Sequence, residues 1–199
     1  MVVKTLLILM FFSGAVFSQN ADIGILRKIN LDRAPELDNS FLSISGSAAV
    51  LSVGIPSVLL GTGYLKKDSL TTMNGLYTGL TLVTAAVIST GLKYGIDRPR
   101  PFVTYPDIRK RTEAGSPSFP SGHTSTAFAL ATSISIAYPK WYIIAPTYLW
   151  ATSVGYSRMD LGVHYPSDVL AGALVGAGSA WLSHIITRKF LRQEYKFFK

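Results

Sequence analysis

The sequence predicts an all-α integral membrane protein, a bundle of five to six transmembrane helices with its polar chemistry at one helix-end face. Three observations predict it. Of 199 residues, 48% are hydrophobic and only 15% charged, against about a quarter charged in ordinary soluble domains. Five stretches without a charged residue run through the chain, 16 to 25 residues long, where about 20 residues cross a bilayer core. None alternates with period two, and their Gly, Ala, Ser and Thr content suits close helix packing inside a membrane. A soluble helix of that length carries a charged face, which these lack.

The N-terminal 18 residues read as a secretory signal, with Lys4, the apolar run Leu6 to Phe12, and small residues Val16 and Ser18 before Gln19. The alternative is an uncleaved first anchor helix. Residues 19–40 form an exported polar segment with room for a short surface helix. A helical domain over residues 41–190 follows, and residues 191–199 form a basic C-terminal tail. Within the domain, Phe41–Leu65 and Ser69–Leu92 are long enough to span. Thr124–Pro139, Trp141–Ser157 and Val169–Thr187 are shorter, and the first of these gains length from residues before Thr124.

The net charge of +8 is unevenly placed, and no repeated aromatic-basic pattern suits base stacking, so nucleic acid is not an expected partner. The absence of cysteine removes thiolate nucleophiles, disulfides and Cys-based metal sites. If Gln19 starts outside, then Lys66, Lys67, Lys140 and the basic residues from Arg188 onward lie inside, as the positive-inside bias requires. Six basic residues between Lys93 and Arg111 break that bias, and anion binding is the natural reason for them.

Three polar clusters then share the external side. Lys93 ends the second long apolar stretch, with Arg98-Pro99-Arg100-Pro101 beyond it. The prolines stop the helix and fix the backbone. Arg grips two phosphate oxygens at once, whereas Lys acts as a point charge. Pro120-Ser121-Gly122-His123 precedes an apolar helix, where Ser121 suits the N-cap and free amides near Gly122 suit an anion. His123 is placed to protonate a departing alkoxide. In the third cluster, Ser157-Arg158 is followed by His164 and Asp168. A carboxylate four residues on can orient His164 and leave its other nitrogen as a nucleophile. The same pair also fits a structural hydrogen bond or two metal ligands. His184, the third histidine, reads as a packing residue.

In these residues the chain resembles the type 2 phosphatidic acid phosphatase superfamily, which also includes bacterial acid phosphatases and vanadium haloperoxidases. The pattern Lys-x6-Arg-Pro, Pro-Ser-Gly-His, Ser-Arg-x5-His-x3-Asp is met by Lys93 to Pro101, Pro120 to His123, and Ser157 to Asp168. The resemblance implies a phosphohistidine on His164, oriented by Asp168, with His123 as acid and then base. It implies that Lys93, Arg100, Ser121, Gly122 and Arg158 hold the phosphate, and that no metal or other cofactor is needed. Arg98, Asp97 and Asp160 fall outside the pattern's core positions. The expected protein is thus a membrane-bound lipid phosphatase of the inner membrane, its site facing the periplasm or exterior, with no obligate protein partner. Its substrate would be phosphatidic acid or phosphatidylglycerol phosphate, undecaprenyl diphosphate, or lipid A phosphate. A soluble periplasmic acid phosphatase and a vanadium haloperoxidase are the alternatives.

Overall fold

The computed structural model describes residues 21–32 and 35–197, with side chains as far as Arg188. The expected signal segment, residues 1–18, lies outside the described residues, as do the side chains of the tail. Every regular element among the described residues is helical: α1 over residues 21–31, a 3-10 turn at Pro35–Leu37, α2 (Asp38–Leu65), α3 (Ser69–Ile96), α4 (Pro101–Thr104), α5 (Gly122–Ala137), α6 (Trp141–Asp160) and α7 (Pro166–Phe197). A short helix, α1, does form within residues 19–40, where it buries Ile23, Leu26 and Asn30 against the bundle.

α5 is the centre of the bundle. It touches α2, α3, α6 and α7, and nine of its 16 residues are buried. Its interior residues are small (Ala127, Ala129, Ala131, Ser125, Ser133), which lets backbones approach closely. α7 answers with Gly172 and Gly176. A Cβ at Gly176 would lie 2.7 Å from the Ala129 amide, and one at Gly172 2.7 Å from the Ser121 carbonyl. The main apolar cluster joins Ala48 of α2, Ala127 and Ala131 of α5, and Ala151 and Val154 of α6. Two interior polar groups bond to protein, as a bilayer interior favours: buried Tyr77 Oη donates to Ala180 O at 3.0 Å, and half-buried Trp150 Nε1 to Ser47 Oγ at 3.0 Å.

Three segments are long and apolar enough to cross a membrane: Pro35–Leu65, Ser69–Thr104 and Pro166–Arg188. Their outward faces carry exposed Val50, Val53, Val58, Val83, Val87, Leu170 and Leu174, an arrangement suited to lipid rather than water. α5 and α6 do not reach that length and apolarity. Lys66 and Lys67 turn α2 into α3, where Asp68 caps α3 by accepting from the amides of Leu70 (3.0 Å) and Thr71 (3.2 Å). At the opposite end, α1, α4 and the loop over residues 105–121 cover the start of α7. A second apolar cluster of Ile23, Leu26, Ile108 and Tyr165 binds them together.

Candidate active site

Each of the three clusters sits where a helix begins or ends, and all open toward the α1 side of the bundle. α3 stops at Asp97, which takes a left-handed conformation (φ 49°). Arg100 is extended and Pro101 starts α4, as its fixed φ favours. Lys93, in the last turn of α3, donates from Nζ to the carbonyls of Pro117 (2.6 Å) and Pro120 (3.1 Å). Arg100 Nε donates to Ser116 O at 2.7 Å, and Nη1 donates to Val163 O at 2.8 Å. The carbonyls of loop 105–121 therefore fix both cations in place. Backbone groups of this kind carry no side-chain signal, so the motifs do not disclose them.

Ser121 occupies the N-cap position of α5, as expected, but its hydroxyl makes no capping bond to the helix. Its Oγ instead accepts from Thr124 Oγ1 at 2.9 Å, and its amide donates to Asp168 O at 3.0 Å. That amide bond ties the second cluster to the third. Gly122 and His123 follow in the first turn, whose amides lack intrahelical acceptors. They line a cavity of about 350 Å³ with Lys93 and Ser89. Its other walls come from α2 and α3, chiefly Ala48, Ala49, Ser52 and Ala86. His123 lies within electrostatic reach of Arg158, Arg100 and Lys93.

Arg158 is buried in the last turn of α6. Its Nη1 donates to Ser45 Oγ of α2 at 2.5 Å, while its Nε has no hydrogen-bond acceptor in the protein. A buried guanidinium N–H without an acceptor is costly, and an oxyanion would satisfy it. Lys93 and Arg100 have Asp168 as the acid within electrostatic reach, Arg158 lies within reach of Arg100, and Asp168 is already ion-paired to Arg98. The site is electropositive and suits an anion with several oxygens.

His164 is 2% exposed, on the short connection between α6 and α7. Its Nδ1 faces Asp168 Oδ2 at 3.5 Å, and its Nε2 faces Arg100 Nη1 at 3.4 Å. The first separation is a few tenths of an ångström long for a hydrogen bond, and catalytic contacts of this kind tighten when substrate charge is in place. Asp168 Oδ2 also accepts the Tyr165 amide at 3.0 Å, which turns that oxygen toward the imidazole. Burial, reinforced by Arg100 and Arg158, pushes the His164 pKa down to about 3 against the opposing pull of Asp168. The ring is therefore neutral near pH 7, and its partners select the tautomer with hydrogen on Nδ1 and a lone pair on Nε2.

Lys93, Arg100, Ser121, Gly122, His123, Arg158, His164 and Asp168 thus converge on one region. Three further residues join them that the motif spacing does not single out: Arg98, Asp22 and Ser167. His184 stands apart, edge-on to Tyr77 with ring centroids 5.8 Å apart, in accord with a packing role.

Together, fold and site define a helical membrane protein with a cation-lined His–Asp centre at one end of its bundle. A sequence model described as the PAP2 superfamily matches residues 74–192, and the chain belongs to that superfamily. It is 37% identical over 75 residues to the lipid A 4'-phosphatase of Bacteroides thetaiotaomicron, a match covering 38% of this chain and 33% of that one. It is 36% identical over 110 residues to the undecaprenyl-diphosphatase of Sulfolobus acidocaldarius, covering 53% of each. The chain therefore spans a third to about half the length of these two relatives. Its fold is similar to the crystal structure of a transmembrane PAP2-type phosphatidylglycerolphosphate phosphatase from Bacillus subtilis, with a TM-score of 0.74 and 26% identity. That likeness covers 94% of this chain and 96% of the other.

Proposed function

We propose that the chain is a membrane phosphatase that hydrolyses a lipid phosphomonoester or diphosphate through a phosphohistidine on His164. The observation that carries this reading is the placement of His164 between Asp168 on Nδ1 and the Arg100 guanidinium on Nε2. A phosphoryl group held by Arg100 would lie against the lone pair of Nε2. The nitrogen attacks phosphorus, the N–P bond forms, and the P–O bond to the lipid breaks with its electron pair on the leaving oxygen. His123 delivers the proton that oxygen needs. Water then attacks the phosphohistidine, His123 takes its proton, and inorganic phosphate leaves. Asp168 stabilises the positive imidazole between the two steps. Lys93, Arg100 and Arg158, with Ser121 and the Gly122 amide, bind the non-bridging oxygens as negative charge builds.

The alanine-lined cavity between α2, α3 and α5 supports a lipid substrate, because an apolar chain can lie along it while its phosphate reaches Lys93 and His123. The relatives named above act, by their names, on three different lipid phosphates. In this reading α2, α3, α5, α6 and α7 all cross the membrane, with α1 and the site on the periplasmic or external side. The N-terminal 18 residues serve as export signal, and the basic residues after Arg188 face the cytoplasm.

Release of inorganic phosphate tests the reading, using phosphatidic acid, phosphatidylglycerol phosphate, undecaprenyl diphosphate and lipid A as substrates in detergent micelles. The wild-type protein is expected to turn over at least one of them, and His164→Ala to lose activity by at least about 10⁴-fold while remaining folded. Undiminished turnover by His164→Ala would sink the mechanism.

A further inference from the structure

Arg98 lies outside the motif positions, yet it is the most engaged cation at the site. Its Nη1 donates to Asp168 Oδ1 at 2.6 Å and to Ser167 Oγ at 2.7 Å, and its Nη2 donates to Asp22 Oδ2 at 2.8 Å. The guanidinium also lies over the Tyr165 ring, 3.9 Å from its centroid. Asp22, in the first described turn of α1, is 7% exposed. Its Oδ1 accepts the Ser167 amide at 2.8 Å, and its Oδ2 accepts the Ser167 hydroxyl at 2.5 Å. The far end of α1 is fixed separately. Asn30 is fully buried and donates to the carbonyls of Arg109 (3.0 Å) and Asp160 (2.7 Å), while accepting the Arg109 amide at 2.8 Å.

We infer that Arg98 and Asp22 are positioning residues for phosphoryl transfer: Asp22 holds Arg98, Arg98 holds the Asp168 carboxylate, and that carboxylate orients His164. The inference rests on the reading of His164 as nucleophile. A carboxylate terminates in a soft torsion, so the Tyr165 amide on Oδ2 alone does not fix its plane. Arg98 on Oδ1 supplies the second point. The planar fork of Arg reaches both carboxylates and the Ser167 hydroxyl together, a bridge that the single ammonium of Lys cannot reproduce. Asp22 lies outside residues 74–192, the part matched by the family model. The dyad's geometry is thus completed by an element upstream of that region.

The test uses the full chain in detergent micelles and whichever panel lipid the wild-type protein hydrolyses fastest. Arg98→Gln is expected to lower kcat about 100-fold with KM within about threefold, since misplacing a reacting group by an ångström costs about that much. Arg98→Lys should fall between wild type and Arg98→Gln, and Asp22→Asn should lower kcat about tenfold. Because Asp22 acts through Arg98, Arg98→Gln/Asp22→Asn should be no slower than Arg98→Gln alone, a non-additivity that independent structural damage does not give. Asn30→Ala, which loosens α1 away from Arg98, should lower Tm but leave kcat per folded molecule unchanged. Where Arg98→Gln does not accumulate, Arg98→Lys carries the same kcat-against-KM comparison. Wild-type kcat in the Arg98 variants, multiplicative losses in the double variant, or an equal kcat loss in Asn30→Ala overturns the inference. If His164→Ala is inactive while the Arg98 and Asp22 variants keep wild-type kcat, only the positioning role fails. If His164→Ala retains activity, the nucleophile assignment itself fails.

Discussion

His164 combines two properties that seldom meet in one side chain: it is enclosed, and in the proposed reaction it would have to accept positive charge. Enclosure among Arg100 and Arg158 keeps it neutral, so its lone pair is available without prior deprotonation. In the proposed reaction the negative phosphoryl group would offset the two guanidiniums, and Asp168 would stabilise the cation as the N–P bond forms. A stability signature follows. The folded-state pKa is about 3 and the ordinary value 6.5, so between these limits the unfolded chain binds the proton that the folded chain refuses. Stability therefore rises with pH through that window and is lost on acidification. Between pH 7 and pH 5 the His164 contribution amounts to about 2 kcal/mol, from 1.36 kcal/mol per unit. Thermal melts in detergent at both pH values are expected to show a drop for the wild type that is smaller in His164→Gln by about that amount.

At the scale of the element, the contact of α5 with α7 sets the site's dimensions, because Ser121 is bonded to the backbone of Asp168. Gly172 faces the Ser121 carbonyl, and an added Cβ would lie 2.7 Å away. Gly172→Ala must therefore displace the start of α5, with its Gly122 amide and His123, away from His164. An overpacking cost of about 1–3 kcal/mol is expected, together with a fall in kcat/KM of at least about tenfold, the fall expected from misplacing a reacting group. Gly178 has open space around its Cβ position. Gly178→Ala should keep wild-type activity with an unchanged or slightly higher Tm. Much of this arrangement was legible in the chain. Charge-free runs give the long helices, and the prolines at 99, 101, 120 and 166 give their ends. The motif spacings give the eight residues that converge. The Asp22–Arg98–Ser167 network was not legible, for a physical reason. Asp22 meets Ser167 across 145 positions of sequence, in a mixed polar segment with no pattern of its own. Arg98 was overshadowed by Arg100, which the Lys-x6-Arg spacing selects. Local periodicity fixes helices, whereas a lone carboxylate's partner depends on how those helices assemble.

For the whole molecule, the distribution of charge is the strongest guide to its placement. Lys66, Lys67 and Lys140 gather at one end of the bundle, opposite the basic loop over residues 109–111 that flanks the site. The absence of cysteine allows a direct measurement. Lys110→Cys should react with a membrane-impermeant maleimide on intact spheroplasts, and Lys67→Cys only after permeabilisation. The reverse labelling pattern would invert the proposed topology and with it the compartment from which substrate is drawn.

The brevity of α5 has a consequence for how substrate concentration is to be counted. Sixteen residues rise about 24 Å, some 6 Å less than a hydrocarbon core of about 30 Å. With the Lys140 end held at one surface in the proposed orientation, Ser121 to His123 lie below the level of the opposite surface. In that orientation a lipid substrate would reach the reaction centre from the bilayer, while the water that completes the reaction would enter from the external side. On the proposed reading, turnover would follow the mole fraction of the phosphate ester among its neighbouring lipids rather than the amount suspended in the surrounding water. Inert lipid would then act as a diluent, and a water-soluble phosphate ester of identical headgroup would be disfavoured by partition.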